Sequence, residues 1–497
     1  MKLTILFGGK AGQGANILST LLGEALTKEG YYVFVSRDYQ SLIRGGHNFN
    51  VLTFCDEPIS SNDSVVDVLV ALDENTINLH KKDLKKDGNI ISGEGKGNMY
   101  FAGRLFKILC IEFKFLEEQL KGLKERFEEN IKEAKEGYED EKKIACKVVF
   151  NKNKLDFMNG NQGIAEGAIK SGLDVYYAYP MTPATNVLSE LAERQIENNF
   201  IVLELESEIS VINSAIGSSI TGAKAMIGTS GGGFDLMTES LSLTGIAEVP
   251  LVIYLASRPG PSTGVATYTG QGDLDMALKA GHGEFNRIVL APGDPKEAAE
   301  LTSQAFYFSQ KFGIPAIVLS DKHLAESLYT SHEKPIITVS KKTTSLKRYN
   351  SYETDEFGSA TENPERIIRN VTERMKVGKE IEKEAEKFEQ CLVHGKENSP
   401  NVVVSFGSTK GAIIDAINGL NATFIQILYL EPFQKEIKNY LKNKNVILIE
   451  NNATGQLGKL IAEKIGVFIP ENNKILRFDG RPFLADELKK EIQRRLK

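Results

Sequence analysis

From Tyr176 to Phe285 the chain repeats one local pattern: an apolar run, a turn rich in Gly, Ser and Thr, then small and apolar residues at helical spacing. Strands that alternate with helices build a parallel sheet flanked by helices, and such sheets place ligands at the turns beyond the strand ends. The pattern sets an α/β fold for this stretch and marks its Gly-rich turns as the place to look for a site.

Three pieces of the stretch carry chemistry. Glu208 opens a helical segment in which Ile209, Ile212, Ile216 and Ile220 recur at threes and fours, an expected apolar stripe, and Gly217 follows on the same helix. A carboxylate in a first turn favours the helix dipole, so an isolated glutamate here reads equally as a capping acid. Thr229-Ser230-Gly231-Gly232-Gly233 precedes an apolar helix, and three glycines let backbone amides approach a ligand closely. Arg258-Pro-Gly-Pro-Ser-Thr-Gly264 follows the apolar run Val249–Leu255. Two prolines stiffen that loop, and Arg258 is placed to hold a carboxylate.

Together these pieces resemble the pyrimidine-binding domain of the alpha subunit of 2-oxoacid:ferredoxin oxidoreductases. The matching segments are Tyr179-Pro-Met-Thr-Pro183, Glu206-Ser-Glu-Ile-Ser-Val-Ile-Asn213, Gly228-Thr-Ser-Gly-Gly-Gly-Phe234, Arg258-Pro-Gly-Pro-Ser-Thr-Gly264 and Ala280-Gly-His-Gly-Glu-Phe285, in the family's order.

The chain has 497 residues, enough for about three or four domains. Its 25% charged residues and net charge of -6 leave no global basic footprint for nucleic acid. No apolar run reaches the roughly 18 residues of a membrane span, and MKLTILFGGKAGQG lacks the apolar length of a signal peptide. The four cysteines (Cys55, Cys110, Cys146, Cys391) lie far apart without a CxxC pair, so no zinc site or iron–sulfur cluster is encoded locally. Scattered cysteines suit a reducing cytoplasm, the expected location.

Domain boundaries read as 1–145, 146–330, 331–395 and 396–497. Residues 1–36 form a Rossmann-like strand, helix and strand, but GGKAGQGA fits neither GxGxxG nor the GK[ST] ending of a P-loop. With its Gly-Gln-Gly turn and Arg44-Gly45-Gly46, this domain resembles the family's gamma subunit, which makes the chain a gamma–alpha fusion. From Phe113 to Lys143, Leu116, Leu120, Leu123, Phe127, Ile131 and Ala134 predict one amphipathic helix, weakened by Gly122 and ended by Gly137. Residues 331–395 are polar and charge-rich and read as a linker or arm, with a charged helix over 367–390. The last domain resembles the family's transketolase C-terminal-like α/β domain.

The resemblance implies a chemistry. Loss of carbon dioxide from a 2-oxoacid needs an electron sink, which thiamine diphosphate supplies. In that setting Glu208, nine residues before Gly217, hydrogen-bonds the pyrimidine ring nitrogen and is the catalytic residue, with Glu206 its competitor. Tyr179, Pro180, Ser230, Gly231 and Gly232 complete the cofactor contacts. Thr182 and Arg258 hold the substrate, through a hydroxyl and a guanidinium. Some family members carry a second arginine ten residues past the Arg258 position; here it is Tyr268, which puts a dicarboxylic contact in doubt. Arg44, Gly45 and Gly46 are expected to meet coenzyme A or a partner.

The diphosphate–magnesium motif, GDG with a later Asn, is not found in the sequence. The resemblance therefore implies a separate beta subunit that carries magnesium, a 4Fe-4S cluster and the diphosphate site, with ferredoxin or flavodoxin taking the electrons and no metal on this chain. His282 and the string Ser320-Asp321-Lys322-His323 are lesser candidates. Two alternatives stand beside this reading: a non-catalytic assembly or regulatory homologue, and a nicotinamide-dependent dehydrogenase built on residues 1–40.

Overall fold

The computed structural model describes residues 1–40, 46–93, 95–121, 126–149, 151–342 and 348–497. Across its width the first sheet runs Leu84–Ser92, Val66–Ala71, Lys2–Lys10, His47–Cys55, Tyr32–Asp38, Leu328–Ser331, Asp156–Asn159. The expected strand, helix and strand are Lys2–Lys10, Ala15–Lys28 and Tyr32–Asp38. His47–Cys55 inserts between the two strands and runs antiparallel to both, so that Leu52 faces Ile5 on one side and Val35 on the other. Two strands from beyond residue 150 complete this sheet and lock the first domain to the second.

The second sheet carries the site. Its order is Tyr429–Glu431, Ile288–Leu290, Pro315–Asp321, Leu251–Ser257, Ala225–Thr229, Val175–Ala178, Ile201–Glu204. The strands between Val175 and Asp321 pair in parallel, and Tyr429–Glu431 adds an antiparallel strand from the last domain. Leu251–Ser257 is buried at every position, as a central strand covered on both faces requires. Ile201–Glu204, at the edge, is largely exposed. The third sheet runs Cys391–Gly395, Thr423–Ile427, Asn401–Phe406, Asn445–Glu450, Lys474–Leu476.

The single helix expected over 113–143 is two, Phe113–Leu120 and Phe127–Asp140. Arg126 adopts φ 57°, a left-handed conformation that a continuous right-handed helix cannot contain. Gly137 does not end the second helix but lies within it. A Cβ on Gly137 would overlap the Tyr100 carbonyl, and one on Gly103 the Ala134 carbonyl. The two glycines therefore let this helix cross Asn98–Ile108 at backbone contact. Gly122 lies outside the described residues.

The arm is anchored rather than loose. Asn363 caps the Pro364–Ala385 helix, Arg374 reaches back to Glu353 at 2.8 Å, and Ile381 and Ala385 enter the apolar core of the second domain. The last domain is joined to the second by the added strand Tyr429–Glu431, by a shared apolar core and by polar contacts. Lys410 pairs with Asp294 and Glu297, and Asp415 accepts hydrogen bonds from the Ser60 amide (3.1 Å) and the Ser61 hydroxyl (2.6 Å).

Candidate functional site

Val175–Ala178, Ala225–Thr229 and Leu251–Ser257 are neighbours in the second sheet and run parallel. Their C-terminal ends therefore deliver three turns to one edge: Tyr179–Pro183, Ser230–Gly233 and the loop from Arg258 to Tyr268. These are the turns that the sequence singles out.

Glu208 arrives from the side, at the start of the helix Glu208–Ile220 that follows the edge strand. Ser207 caps that helix by accepting the Ser210 amide at 3.3 Å. The buried face comprises Glu208, Val211, Ile212, Ala215, Ile216 and Ser219. At about 100° per residue Ile209 turns to the flank, so the expected stripe through Ile209 is corrected: that residue is 53% exposed. Glu208, at 5% exposure, is thus a carboxylate inside an apolar stripe. Glu206 is exposed and takes the Ser210 hydroxyl, which holds its carboxyl below the usual range.

The glycine turn is shaped by these neighbours. A Cβ on Gly233 would stand 2.8 Å from Glu208 Cγ and press on Thr229 Oγ1. A Cβ on Gly231 would stand 2.6 Å from Asp273 Oδ2. Gly232, between them, faces open space, with only the Ser262 carbonyl at 3.9 Å. The glycines let two carboxyl groups close on the turn while its middle stays open.

Arg258 Nη1 donates to the Thr182 carbonyl at 2.9 Å, which ties the Arg258–Tyr268 loop to the Tyr179–Pro183 turn. Burial pushes the Arg258 guanidinium down and Asp273 pushes it back up. Burial pushes the Asp273 carboxyl up, against the pull of a nearby Ser257 hydroxyl, which falls short of hydrogen-bond geometry, and of Arg258. Ser230 Oγ, Ser257 Oγ, Arg258 Nε and Asp273 Oδ2 are buried without a hydrogen-bond partner among the described residues. Four orphaned polar atoms around an open glycine cradle fit a polar heterocycle that brings its own donors and acceptors.

Other candidates fall elsewhere. Tyr179 (40% exposed) and Pro180 are exposed, and Thr182 is half-buried. Tyr268 ends the Arg258 loop, where its neighbour Thr267 donates to the Tyr39 carbonyl at 2.6 Å. Arg44 and Gly45 lie outside the described residues; the Gly46 carbonyl accepts the Ala11 amide at 3.2 Å, on the Gly-rich turn of the first domain. His282 lies in a loop whose amide reaches Ser242, at 2.8 Å. Lys322 is consumed by the Arg37 carbonyl and Glu326, and His323 packs on Phe34 with ring centroids 5.6 Å apart. The His323 amide donates to Thr269 Oγ1 at 3.2 Å, one residue past the Arg258–Tyr268 loop.

Two residues went unread in the sequence. Asp273 is one, and Gly270-Gln-Gly-Asp just before the Leu274–Lys279 helix was its only local signal. Gln271 is the other. Its amide and side chain bond Asn451 and Phe406 through three hydrogen bonds of 2.7–2.9 Å, stapling the site loop to the last domain.

Among the described residues no group of three or more His, Cys, Asp or Glu is arranged to hold a metal ion. None of their helices is long and apolar enough to cross a membrane.

Residues 166–398 match the family described as pyruvate flavodoxin/ferredoxin oxidoreductase, thiamine diphosphate-binding, and residues 4–107 match that described as pyruvate ferredoxin/flavodoxin oxidoreductase. The 2-oxoacid:ferredoxin oxidoreductase subunit alpha of Saccharolobus solfataricus is 28% identical over 99% of this chain and 98% of its own. The 2-oxoglutarate synthase subunit KorA of Methanocaldococcus jannaschii is 30% identical over 60% of this chain and 89% of its own. Among solved structures, the 2-oxoglutarate:ferredoxin oxidoreductase of Magnetococcus marinus, with 2-oxoglutarate, coenzyme A and succinyl-CoA bound, superposes with a TM-score of 0.90. It covers all of both chains at 23% identity, a likeness of fold.

Proposed function

The chain belongs to the family of 2-oxoacid:ferredoxin oxidoreductase alpha subunits, and from that premise we propose that it is the gamma–alpha fused subunit of an enzyme converting a 2-oxoacid and coenzyme A to acyl-CoA and carbon dioxide. The two electrons released go to ferredoxin or flavodoxin. One observation carries the reading: a buried Glu208 packed against a glycine turn that stays open at Gly232.

Thiamine diphosphate, when bound, supplies the electron sink that decarboxylation of a 2-oxoacid requires. Ser230, Gly231 and Gly232 form the cradle for its pyrimidine ring, with Tyr179 and Pro180 at the rim. Glu208 holds a hydrogen bond at the ring nitrogen through its carboxyl, in a pocket dry enough to strengthen that bond. Arg258, pinned to the Thr182 carbonyl, keeps its remaining donors for the substrate carboxylate. The Thr182 hydroxyl lies at the same turn and serves the 2-oxo group. Pro259 and Pro261 hold the loop that shields the site from water.

The gamma-like first domain, with Gly46 beside its Gly-rich turn, is assigned to coenzyme A. The diphosphate, magnesium and the 4Fe-4S cluster belong, on this reading, to a separate beta subunit that completes the site. The domain limits 1–145, 146–330, 331–395 and 396–497 are retained as functional units.

The test is 2-oxoacid-dependent reduction of a viologen dye by the complex purified anaerobically through this chain. Coenzyme A is added, with a panel of oxoacids, and the co-purifying polypeptides are identified. Reduction together with an iron–sulfur partner containing thiamine diphosphate supports the reading. An intact, thiamine-loaded complex that reduces nothing with any oxoacid refutes it in favour of a non-catalytic homologue.

A further inference from the structure

Two consecutive carbonyls of the Tyr179–Pro183 turn are held from outside it. Arg258 Nη1 donates to that of Thr182 at 2.9 Å, and Asn161 Nδ2 donates to that of Pro183 at 3.1 Å. The peptide planes on either side of Pro183 are therefore both pinned, directly behind the Thr182 side chain.

Asn161 is itself held. It is the second residue of the helix Gly160–Lys170, whose start Asn159 and Gln162 close with a reciprocal capping box. A Cβ on Gly160 would stand 2.4 Å from the Leu324 carbonyl, so this helix end lies at backbone contact with its neighbour. From the central strand Leu251–Ser257, the Tyr254 hydroxyl donates to Asn161 Oδ1 at 2.7 Å. A carbonyl has no proton to give, so the Asn161 NH2 faces Pro183 and its oxygen faces Tyr254. Both residues are fully buried. Burial holds the Tyr254 phenol far above its ordinary range, so it stays a donor at any working pH. An amide and a phenol shut away from water are tolerated only when paired, and this pair ends on the turn that carries Thr182.

Resting on the function proposed above, we propose that Asn161 is a positioning residue for the 2-oxoacid: with Tyr254 behind it, it fixes the turn that presents the Thr182 hydroxyl to the 2-oxo group. It touches neither substrate nor cofactor and acts through Thr182. Such a residue governs how well the oxoacid is seated and leaves the affinities for thiamine diphosphate and coenzyme A alone.

The experiment uses Asn161→Asp in the assembled complex, with pyruvate and 2-oxoglutarate as substrates. The variant keeps the shape and still accepts from Tyr254. As a carboxylate it has no proton for Pro183; as a carboxylic acid it has one. Burial raises the pKa of such a group toward the working range, and the charges of Asp321 and Glu326, which reach Tyr254, push the same way. At about pH 8 kcat/KM for the oxoacid should fall by about 10- to 100-fold, with KM for the oxoacid raised. Toward about pH 6 the ratio of wild type to variant should shrink, because the acid regains its donor. Tyr254→Phe, which frees Asn161 Oδ1 and adds no charge, should raise the same KM by about threefold or more and carries the test if the aspartate variant fails to assemble. A loss in kcat alone that tracks the urea midpoint and ignores pH would assign Asn161 to the packing of the core and overturn the proposal. So would a loss confined to the affinity for thiamine diphosphate or to KM for coenzyme A, while the enzyme's function stands. A wild type that turns over no oxoacid removes the functional reading and this inference with it.

Discussion

Asp273 Oδ2 lies 2.6 Å from the position a Cβ would take on Gly231, and among the described residues nothing gives that oxygen a hydrogen bond. The carboxyl groups of Glu208 and Asp273 thus close on the glycine turn from two sides, at Gly233 and Gly231, and leave Gly232 free. The two glycines should respond differently to one added methyl. Gly231→Ala forces Asp273 aside and should cost about 1–3 kcal/mol in denaturant unfolding, as overpacking does. Gly232→Ala meets no neighbour of its own chain and should leave stability within about 0.5 kcal/mol, yet fill the cradle. Thiamine diphosphate titrated into the assembled complex should bind Gly232→Ala at least about tenfold more weakly. Unaltered cofactor affinity in that variant would remove the turn from the binding site.

The two neighbouring glutamates make a second test. Glu208 is buried against the turn, whereas Glu206 is exposed and bonded to Ser210. Glu208→Gln keeps the shape but not the proton-sharing carboxyl, and should lower oxoacid-dependent dye reduction by about 10²–10⁴-fold. Glu206→Gln should stay within about twofold of wild type. The reverse order would hand the catalytic role to Glu206.

What could be read in the sequence followed from burial. Leu251–Ser257 is buried throughout and apolar but for Ser257 and the Tyr254 hydroxyl, because helices cover both faces of its sheet, so it reads as a strand without help. Leu84–Ser92, LKKDGNIIS, is an edge strand with a register shift at its pairing, and its charges hide it. Asp156–Asn159 and Leu328–Ser331 pair with each other and join the first sheet, a long-range union with no local signature. The site divides the same way. Tyr179–Pro183, Ser230–Gly233 and Arg258 belong to turns of one sheet, and local pattern reaches them. Asp273 and Gln271 matter through what they touch across the fold. The stripe error at Ile209 has a simple cause: threes and fours starting from an isoleucine missed that the stripe starts at Glu208.

Lys410 holds the last domain to the second through Asp294 and Glu297, and Glu297 also accepts Gln426 Nε2 at 2.7 Å. The lysine side chain is 12% exposed and that of Glu297 is 5% exposed. Lys410→Met removes the cation and leaves the buried Glu297 carboxylate facing that of Asp294, whose side chain is 27% exposed. The expected cost is about 3–5 kcal/mol in urea unfolding. Recovery should come from adding Glu297→Gln and Asp294→Asn, which take away the stranded charges. A loss under about 1 kcal/mol in the single variant would show the triad to be solvated.

His323 gives the fold a pH dependence with a definite sign. Burial pushes its imidazole down to about 3, with Lys322 adding to the push. In the unfolded chain it titrates near 6.5. Below that pH the unfolded state takes up a proton that the folded state refuses, so stability falls as pH drops from about 6.5 toward 3. The slope from this group is up to about 1.4 kcal/mol per pH unit. Urea midpoints at pH 7, 6 and 5 should therefore decline more steeply in wild type than in His323→Gln. Parallel declines would mean that His323 protonates freely in the native state.

Gly217 is a glycine that the packing of this chain does not call for. It lies inside the Glu208–Ile220 helix, where glycine costs about 0.5–1 kcal/mol relative to alanine. A Cβ there would meet nothing within 4 Å, so the fold of this chain gives no reason for the cost. Its helix face is exposed, with Ile209 and Asn213 above it, and the edge strand beside the helix shows Ile201 and Leu203 to solvent as well. An apolar, glycine-notched face of this kind suits close approach by another backbone. Gly217→Ala should therefore stabilise the isolated chain by about 0.5–1 kcal/mol in urea unfolding while weakening its association with the proposed beta subunit by at least about tenfold. The opposite signs are the point of the experiment. A variant that is both more stable and equally well assembled would show that the notch receives no partner, and a less stable one would show that the helix itself requires glycine.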